Sequence, residues 1–259
     1  MKTFFLYFSV FFFVVLLLLC SLRLQKRYQY AETHDLIMTK GETSRNDSLK
    51  VLFIGDSWAY LHQNYDSQFC SMIIKKGFPC RVISKGYSGA NSKEIYQHMY
   101  TSCMPLLIDN PTYCVIIVGI NDAVAKLGKD FYSYHYILIL QQLLRMGIKP
   151  VVLEIPDVNY RAVADRESPI MRLHHCLSSF LTDSELYGFN SYRENLKKSI
   201  VEAGINRRIV YVKSDSWNTG GYKDSDSLFL PDEVHLNALG YYKLDSCIAS
   251  IIIKDLVQQ

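Results

Sequence analysis

Lys50-Val51-Leu52-Phe53-Ile54-Gly55-Asp56-Ser57-Trp58 is an apolar, β-rich run that ends abruptly in Gly-Asp-Ser and then gives way to a helical pattern. Read as a strand, it delivers a serine to the start of a helix. Open α/β sheets bind their ligands at the carboxyl ends of their strands, and the N–H groups of a helix start face any negative charge that develops there. Ser57 is therefore a candidate nucleophile. Taken alone, the stretch also allows Ser57 to serve only as the N-cap of the helix.

Three further stretches supply what an activated serine needs. Residues 84–92, Ser-Lys-Gly-Tyr-Ser-Gly-Ala-Asn-Ser, follow the short strand Arg81-Val82-Ile83 and bring Gly89 to a second strand end. Residues 115–122, Val-Ile-Ile-Val-Gly-Ile-Asn-Asp, repeat the arrangement and bring the amide of Asn121 to a third. Leu230-Pro231-Asp232-Glu233-Val234-His235 holds a carboxylate and an imidazole three residues apart, close enough to face each other across one turn. Together these make a nucleophile, oxyanion donors, a base and a group to orient it.

These four blocks, in this order, resemble the SGNH or GDSL hydrolases, and the resemblance runs from about residue 49 to the C-terminus. It implies a three-layer α/β/α sandwich on a five-stranded parallel sheet of flavodoxin-like order. It also implies the triad Ser57, Asp232 and His235, with an oxyanion hole formed by the Ser57 and Gly89 backbone N–H groups and the Asn121 side chain. Such an enzyme works through an acyl-enzyme without cofactor or metal. Water as acceptor makes it an esterase acting on a short acyl group of a carbohydrate or other small ester. A sugar hydroxyl as acceptor makes it an O-acyltransferase on an envelope glycan, and a domain of the same fold can also be an idle binding module. Trp58 stands where many relatives carry a smaller residue, which leads us to expect a preference for short acyl chains.

The alternation along the chain agrees with a parallel sheet. Strands are expected at residues 50–54, 81–84, 113–118, 150–155 and 209–212, with helices between them at 68–76, 92–103, 130–146 and 191–203, and a closing helix at 238–257. Residues 156–188 are less regular and should rim the pocket, with Asp157, Asn159, Tyr160 and Arg161 as candidate substrate contacts. His174-His175 have no ligand-spaced carboxylate or cysteine around them, so a packing role is expected rather than a metal. Tyr211, Trp217 and Tyr222, near Gly220-Gly221, are candidates for stacking on a sugar.

Residues 3–22 carry no charge and are interrupted only by Ser9 and Ser21 among the polar residue types that would break an apolar helix. About 20 such residues can span a bilayer. With no small-residue cleavage site around Leu18, Leu19 and Cys20, residues 1–27 read as an uncleaved single-pass anchor, with a cleaved, secreted form as the alternative. Residues 28–48 read as a polar linker and 49–259 as the hydrolase domain. The short N-terminal tail favours an extracytoplasmic domain, although Arg23, Lys26 and Arg27 on the other flank argue the opposite way. A net charge of +3 and isolated basic pairs such as Lys75-Lys76 speak against nucleic acid as a partner. Beyond the anchor, Cys70, Cys80, Cys103, Cys114, Cys176 and Cys247 permit disulfides without requiring them, and no C-x-x-C motif occurs.

Overall fold

The central strands are apolar on both faces, so they need cover on both sides, and the intervening segments supply it as helices. In the computed structural model, which describes residues 2–27, 29–34, 48–218 and 226–258, five parallel strands form one sheet: β1 (Leu49–Gly55), β2 (Cys80–Gly86), β3 (Tyr113–Ile117), β4 (Lys149–Leu153) and β5 (Val210–Val212). Their order is β2-β1-β3-β4-β5, as the resemblance implies. Every residue of β3 is buried, and Phe53, Val115 and Val151 lie level in the middle of the sheet.

After the N-terminal helix α1 (Lys2–Arg27), the helices are α2 (Ser57–His62), α3 (Asp66–Ile74), α4 (Ser92–Met99), α5 (Met104–Ile108), α6 (Ile120–Val124), α7 (Lys129–Arg145), α8 (Tyr160–Asp165), α9 (Pro169–Leu181), α10 (Asn190–Glu202) and α11 (Ala238–Val257). On one face α7 packs between α4 and α10, and on the other α3 packs against α11, which gives the three layers. Gly86 allows a close approach between β2 and α2: a Cβ there would stand 1.9 Å from the backbone nitrogen of Tyr60. Any other residue would push α2 away from the sheet.

Three regions differ from the expectation. Residues 156–188 contain two helices, α8 and α9, each opened by a polar cap: Asn159 accepts from the Ala162 N–H at 3.1 Å and Ser168 from the Met171 N–H at 3.3 Å. The start of the expected linker is packed down on α4 and α7. Ala31 N–H donates to His135 Nε2 at 3.0 Å, His34 N–H donates to the Tyr96 hydroxyl at 3.3 Å, and the Tyr30 ring lies 4.7 Å from that of Tyr134. Burial pushes the His135 pKa down to about 4, which keeps its Nε2 an acceptor while Nδ1–H donates to the Phe131 carbonyl at 2.8 Å. The rest of that linker, 35–47, lies outside the described residues.

The third region is the N-terminus. Its helix runs Lys2–Arg27, but its side chains are described only over 5–19, where they are mostly exposed. Among the described residues no helix is long and apolar enough to cross a membrane, so the expected transmembrane helix finds no support there. Among the described residues the six cysteines beyond it are free thiols, and Cys70 Sγ–H donates to the Cys80 carbonyl at 2.9 Å.

Candidate active site

The chain runs from β1 to β2 on one side of it and then to β3 on the other, so a crevice opens above β1 where the order reverses. Ser57 enters that crevice at the first position of α2. Asp56, not Ser57, is the N-cap: its carboxylate accepts from the Trp58 N–H at 3.0 Å. The Ser57 hydroxyl is thus left for another partner, and it lies 2.8 Å from Nε2 of His235. Asp56 is buried, and loss of solvation, with the nearby charge of Asp122, pushes its pKa up to about 7.

Asp232 and His235 face each other across a single turn. Asp232 Oδ1 accepts from the backbone N–H groups of Val234 at 3.0 Å and His235 at 2.9 Å, and Oδ2 takes Nδ1–H of His235 at 2.6 Å. Burial works to raise the Asp232 pKa, but the bonds from His235 and Val234 outweigh it and hold the carboxyl below its usual range. With Nδ1 donating, Nε2 is left as an acceptor for the Ser57 hydroxyl proton. Two flanking contacts fix the turn: Leu230 N–H donates to the His235 carbonyl at 2.7 Å, and Asn237 caps α11 through the Gly240 N–H at 3.0 Å.

Gly89 lies beyond the end of β2 with φ +78, and a Cβ there would meet nothing within 4 Å, so the loop borders open space at this position. Asn121 lies in α6 beyond β3. One of its Nδ2–H bonds is directed to the Ala90 carbonyl at 3.0 Å, which draws its amide to the Gly89 loop and leaves the second N–H available. A brace beneath them is not evident from the sequence blocks alone. Buried Asp122 accepts from the Ser92 N–H at 2.9 Å and from its hydroxyl at 2.5 Å, binding the start of α4 to α6. Burial lifts the Asp122 pKa to about 7. The only hint in the sequence is that Ser92 and Asp122 are the last residues of two of the blocks.

Residues 53–243 match the model of the GDSL-like lipase/acylhydrolase family. The chain belongs to that family. It is accordingly an enzyme of the carboxylic ester hydrolase kind, and no curated protein sequence shows significant similarity to it. Solved structures share the fold at low identity. An acetyl xylan esterase, AlAXEase, is 19% identical with a TM-score of 0.54, over 80% of this chain and 99% of that one. A lipase/acylhydrolase from Enterococcus faecalis is 18% identical with a TM-score of 0.54, over 79% and 95%. A GDSL-like lipase from Bacteroides thetaiotaomicron VPI-5482 is 16% identical with a TM-score of 0.55, over 84% and 93%.

Other expectations for this GDSL-like hydrolase need correction. Trp58 does not border the nucleophile's open side: it is fully buried, edge-on to Trp217 at 5.9 Å and to Phe229 at 6.4 Å, so it cannot limit the acyl chain by direct contact. Trp217 is buried in that packing, and Tyr211 donates its hydroxyl to Glu154 at 3.1 Å while Lys197 Nζ lies 5.6 Å over its ring, so the contacts of both are with the protein itself. Tyr222 and Gly220-Gly221 lie outside the described residues. Asp157 pairs with Arg193 at 2.6 Å. Asn159 donates to the Glu233 carboxylate, and Arg166 reaches the same carboxylate at 3.4 Å, so α8 braces the Asp-His turn from outside. His175 is paired with Glu167 at 2.9 Å within its own surroundings.

Proposed function

We propose that this enzyme hydrolyses short-acyl esters, with a carbohydrate or similarly polar alcohol as the leaving group, through an acyl-enzyme on Ser57. The reading is carried by the continuous hydrogen-bonded line from Asp232 through His235 to Ser57. As Ser57 Oγ attacks the ester carbonyl, its proton passes to His235 Nε2, and Asp232 stabilises the imidazolium that results. The Ser57 and Gly89 N–H groups and the free Asn121 N–H receive the oxyanion. Collapse expels the alcohol, which takes the proton from His235. Water, deprotonated by the same imidazole, then releases the acid and restores Ser57. No cofactor or metal takes part in these steps.

Exposure supports a polar, bulky leaving group: the side chains of Asp232 and His235 are 44% and 28% accessible, so the alcohol half of the ester can remain outside the protein. The fold likeness to an acetyl xylan esterase favours a short acyl half. The test uses full-length protein in detergent with p-nitrophenyl acetate, its octanoyl counterpart and acetylated glycans. Turnover is expected with acetyl above octanoyl, together with fluorophosphonate labelling at Ser57. A folded protein with neither turnover nor labelling overturns the reading and leaves a binding module of the same fold.

Attachment to a membrane through residues 1–27, with the hydrolase domain on the extracytoplasmic side, belongs to the same proposal. It is supported by the uncharged run at 3–22 and the exposed apolar side chains over 5–19. Full-length chain should fractionate with membranes, and a soluble form beginning near residue 21–30 would show cleavage instead.

A further inference from the structure

Five residues after Ser57, α2 ends in a buried imidazole. His62 and Asp245 have no exposed side-chain surface, and Nε2 of His62 lies 2.8 Å from Asp245 Oδ1. On its other side Nδ1 lies 2.7 Å from the Ser84 hydroxyl and 3.2 Å from Asp66 Oδ1. Hydrogen-bond accounting fixes the protons. Ser84 spends its one hydroxyl proton on Asp66 Oδ1 at 2.5 Å, so toward His62 it accepts, and Nδ1 carries a hydrogen. Asp245 already receives Gln68 Nε2–H at Oδ2, at 2.9 Å, and its Oδ1 faces Nε2. Nδ1 thus donates, and a protonated ring, which the bonds and charges of Asp245 and Asp66 favour over burial, donates from Nε2 to Asp245 as well.

The elements around it leave little else to titrate. α3 contributes Asp66 and the Phe69 ring, β2 contributes Ser84, and β1 stacks Phe53 on the imidazole at 4.0 Å. α11 contributes Asp245 and the Tyr241 ring at 5.8 Å, the only further titratable group among these contacts. Tyr241 also donates its hydroxyl to the Trp58 carbonyl at 2.9 Å, so α11 holds α2 at two points. The near end of α11 is capped by Asn237, which also grips the carbonyls of Ser227 at 2.7 Å and Phe229 at 3.2 Å, on the loop that carries His235.

We propose that His62 and Asp245 are positioning residues whose pair ties the helix begun by Ser57 to the helix that follows His235, and so sets the separation at which the two catalytic side chains meet. The inference rests on the Ser57–His235 reading above. Burial alone would lower the His62 pKa, but the bonds and charges of Asp245 and Asp66 outweigh it and raise it above 6.5. The tie is therefore fully present below pH 6.5 and is lost as pH rises through the higher folded-state value.

The test compares wild type with His62→Gln, Asp245→Asn and the double variant, as full-length chains in detergent. Each single change should lower kcat and the rate of fluorophosphonate labelling on the order of tenfold with KM little altered, because a small misplacement of reacting groups is costly. The double variant should recover part of the loss, since two amides can bond each other and no buried charge is left unpaired. Wild type should also lose labelling rate with rising pH along a limb that His62→Gln lacks. Folded single variants that label at the wild-type rate, or a limb shared by wild type and His62→Gln, would overturn the tie. Should His62→Gln not fold, the imidazole NMR signals of wild type decide: protonation persisting above pH 6.5 supports the tie, and a ring neutral at about pH 6 overturns it. Wild type that is never labelled would instead sink the catalytic reading.

Discussion

Two Ser-His-Asp sets lie close together in this molecule, with nearly the same spacings. In one, Ser57, His235 and Asp232 are linked at 2.8 and 2.6 Å; in the other, Ser84, His62 and Asp245 are linked at 2.7 and 2.8 Å. Two things separate them. The first set stands open at the carboxyl edge of the sheet, while His62 and Asp245 are sealed beneath aromatic rings. The direction of the protons also differs. Ser57 has an acceptor nitrogen in front of it and can give up its proton; Ser84 has already given its proton to Asp66 and faces a donor. Distances alone do not make a nucleophile: an acceptor imidazole and access for substrate are also required.

The largest expected effect breaks or upholds that contrast. Ser57→Ala and His235→Ala should each lower kcat by about 10⁴–10⁶, and the double variant should be little worse, because groups acting as a unit are not additive. Ser84→Ala should keep fluorophosphonate labelling at Ser57, since His62 Nδ1 retains Asp66 at 3.2 Å. Labelling that vanishes with Ser84→Ala and survives Ser57→Ala would reverse the two sets.

Next in size is Asp232→Asn, with an expected loss of about 10⁴ in kcat, because an amide favours the wrong imidazole tautomer and cannot stabilise its charge. Asn121→Ala should cost about 10²–10³ in kcat with little change in KM, since two backbone donors remain. Steady-state kinetics with p-nitrophenyl acetate checks both. Equal losses for the two would mean that Asn121 acts through His235 rather than on the oxyanion.

The open set was legible in the sequence because each member sits within a short block at a strand end, and strand ends can be read from apolar runs and glycines. Asp232 and His235 are three residues apart, so their turn is local information. The sealed set was not legible: Ser84 and Asp245 lie in an edge strand and a long helix, and only the packing of α3 and α11 brings them to His62. The same reason hid the burial of Trp58, whose partners Trp217 and Phe229 are remote in sequence. The short helix α8 escaped because it has only six residues, and Asn159, which caps it, is itself held by Glu233, far along the chain.

A smaller effect, on stability, sharpens the contrast between buried and open carboxyls. Asp56 has a folded-state pKa of about 7 against an ordinary 3.8, so its stability contribution is present below 3.8 and is lost as pH rises through about 7. Asp56→Asn keeps an acceptor for the Trp58 N–H and removes the buried charge. Its Tm relative to wild type should therefore climb by a few degrees as pH rises from about 3.8 to about 7 and level off above that. A difference that stays constant with pH would mean that the Asp56 carboxyl is already well solvated or paired when ionised.

The smallest effect belongs to Glu233, the carboxylate between Asp232 and His235. Its backbone takes φ 62, a left-handed conformation that turns its side chain away from the imidazole. There it meets Asn159 and, at 3.4 Å, the largely exposed Arg166. Exposed ion pairs contribute roughly 0–1 kcal/mol, and glutamine still accepts from Asn159, so Glu233→Gln should change kcat less than about threefold. The position of the turn itself depends on the backbone, since Asn159 N–H also donates to the Glu233 carbonyl at 3.2 Å and Glu233 N–H to the Leu230 carbonyl at 2.8 Å, and neither bond is altered by the substitution. Side-by-side kinetics of Glu233→Gln and Asp232→Asn decide which carboxylate orients His235. A collapse of kcat in the first with activity kept in the second would move that role from Asp232 to Glu233, and would mean that the turn rearranges when substrate binds.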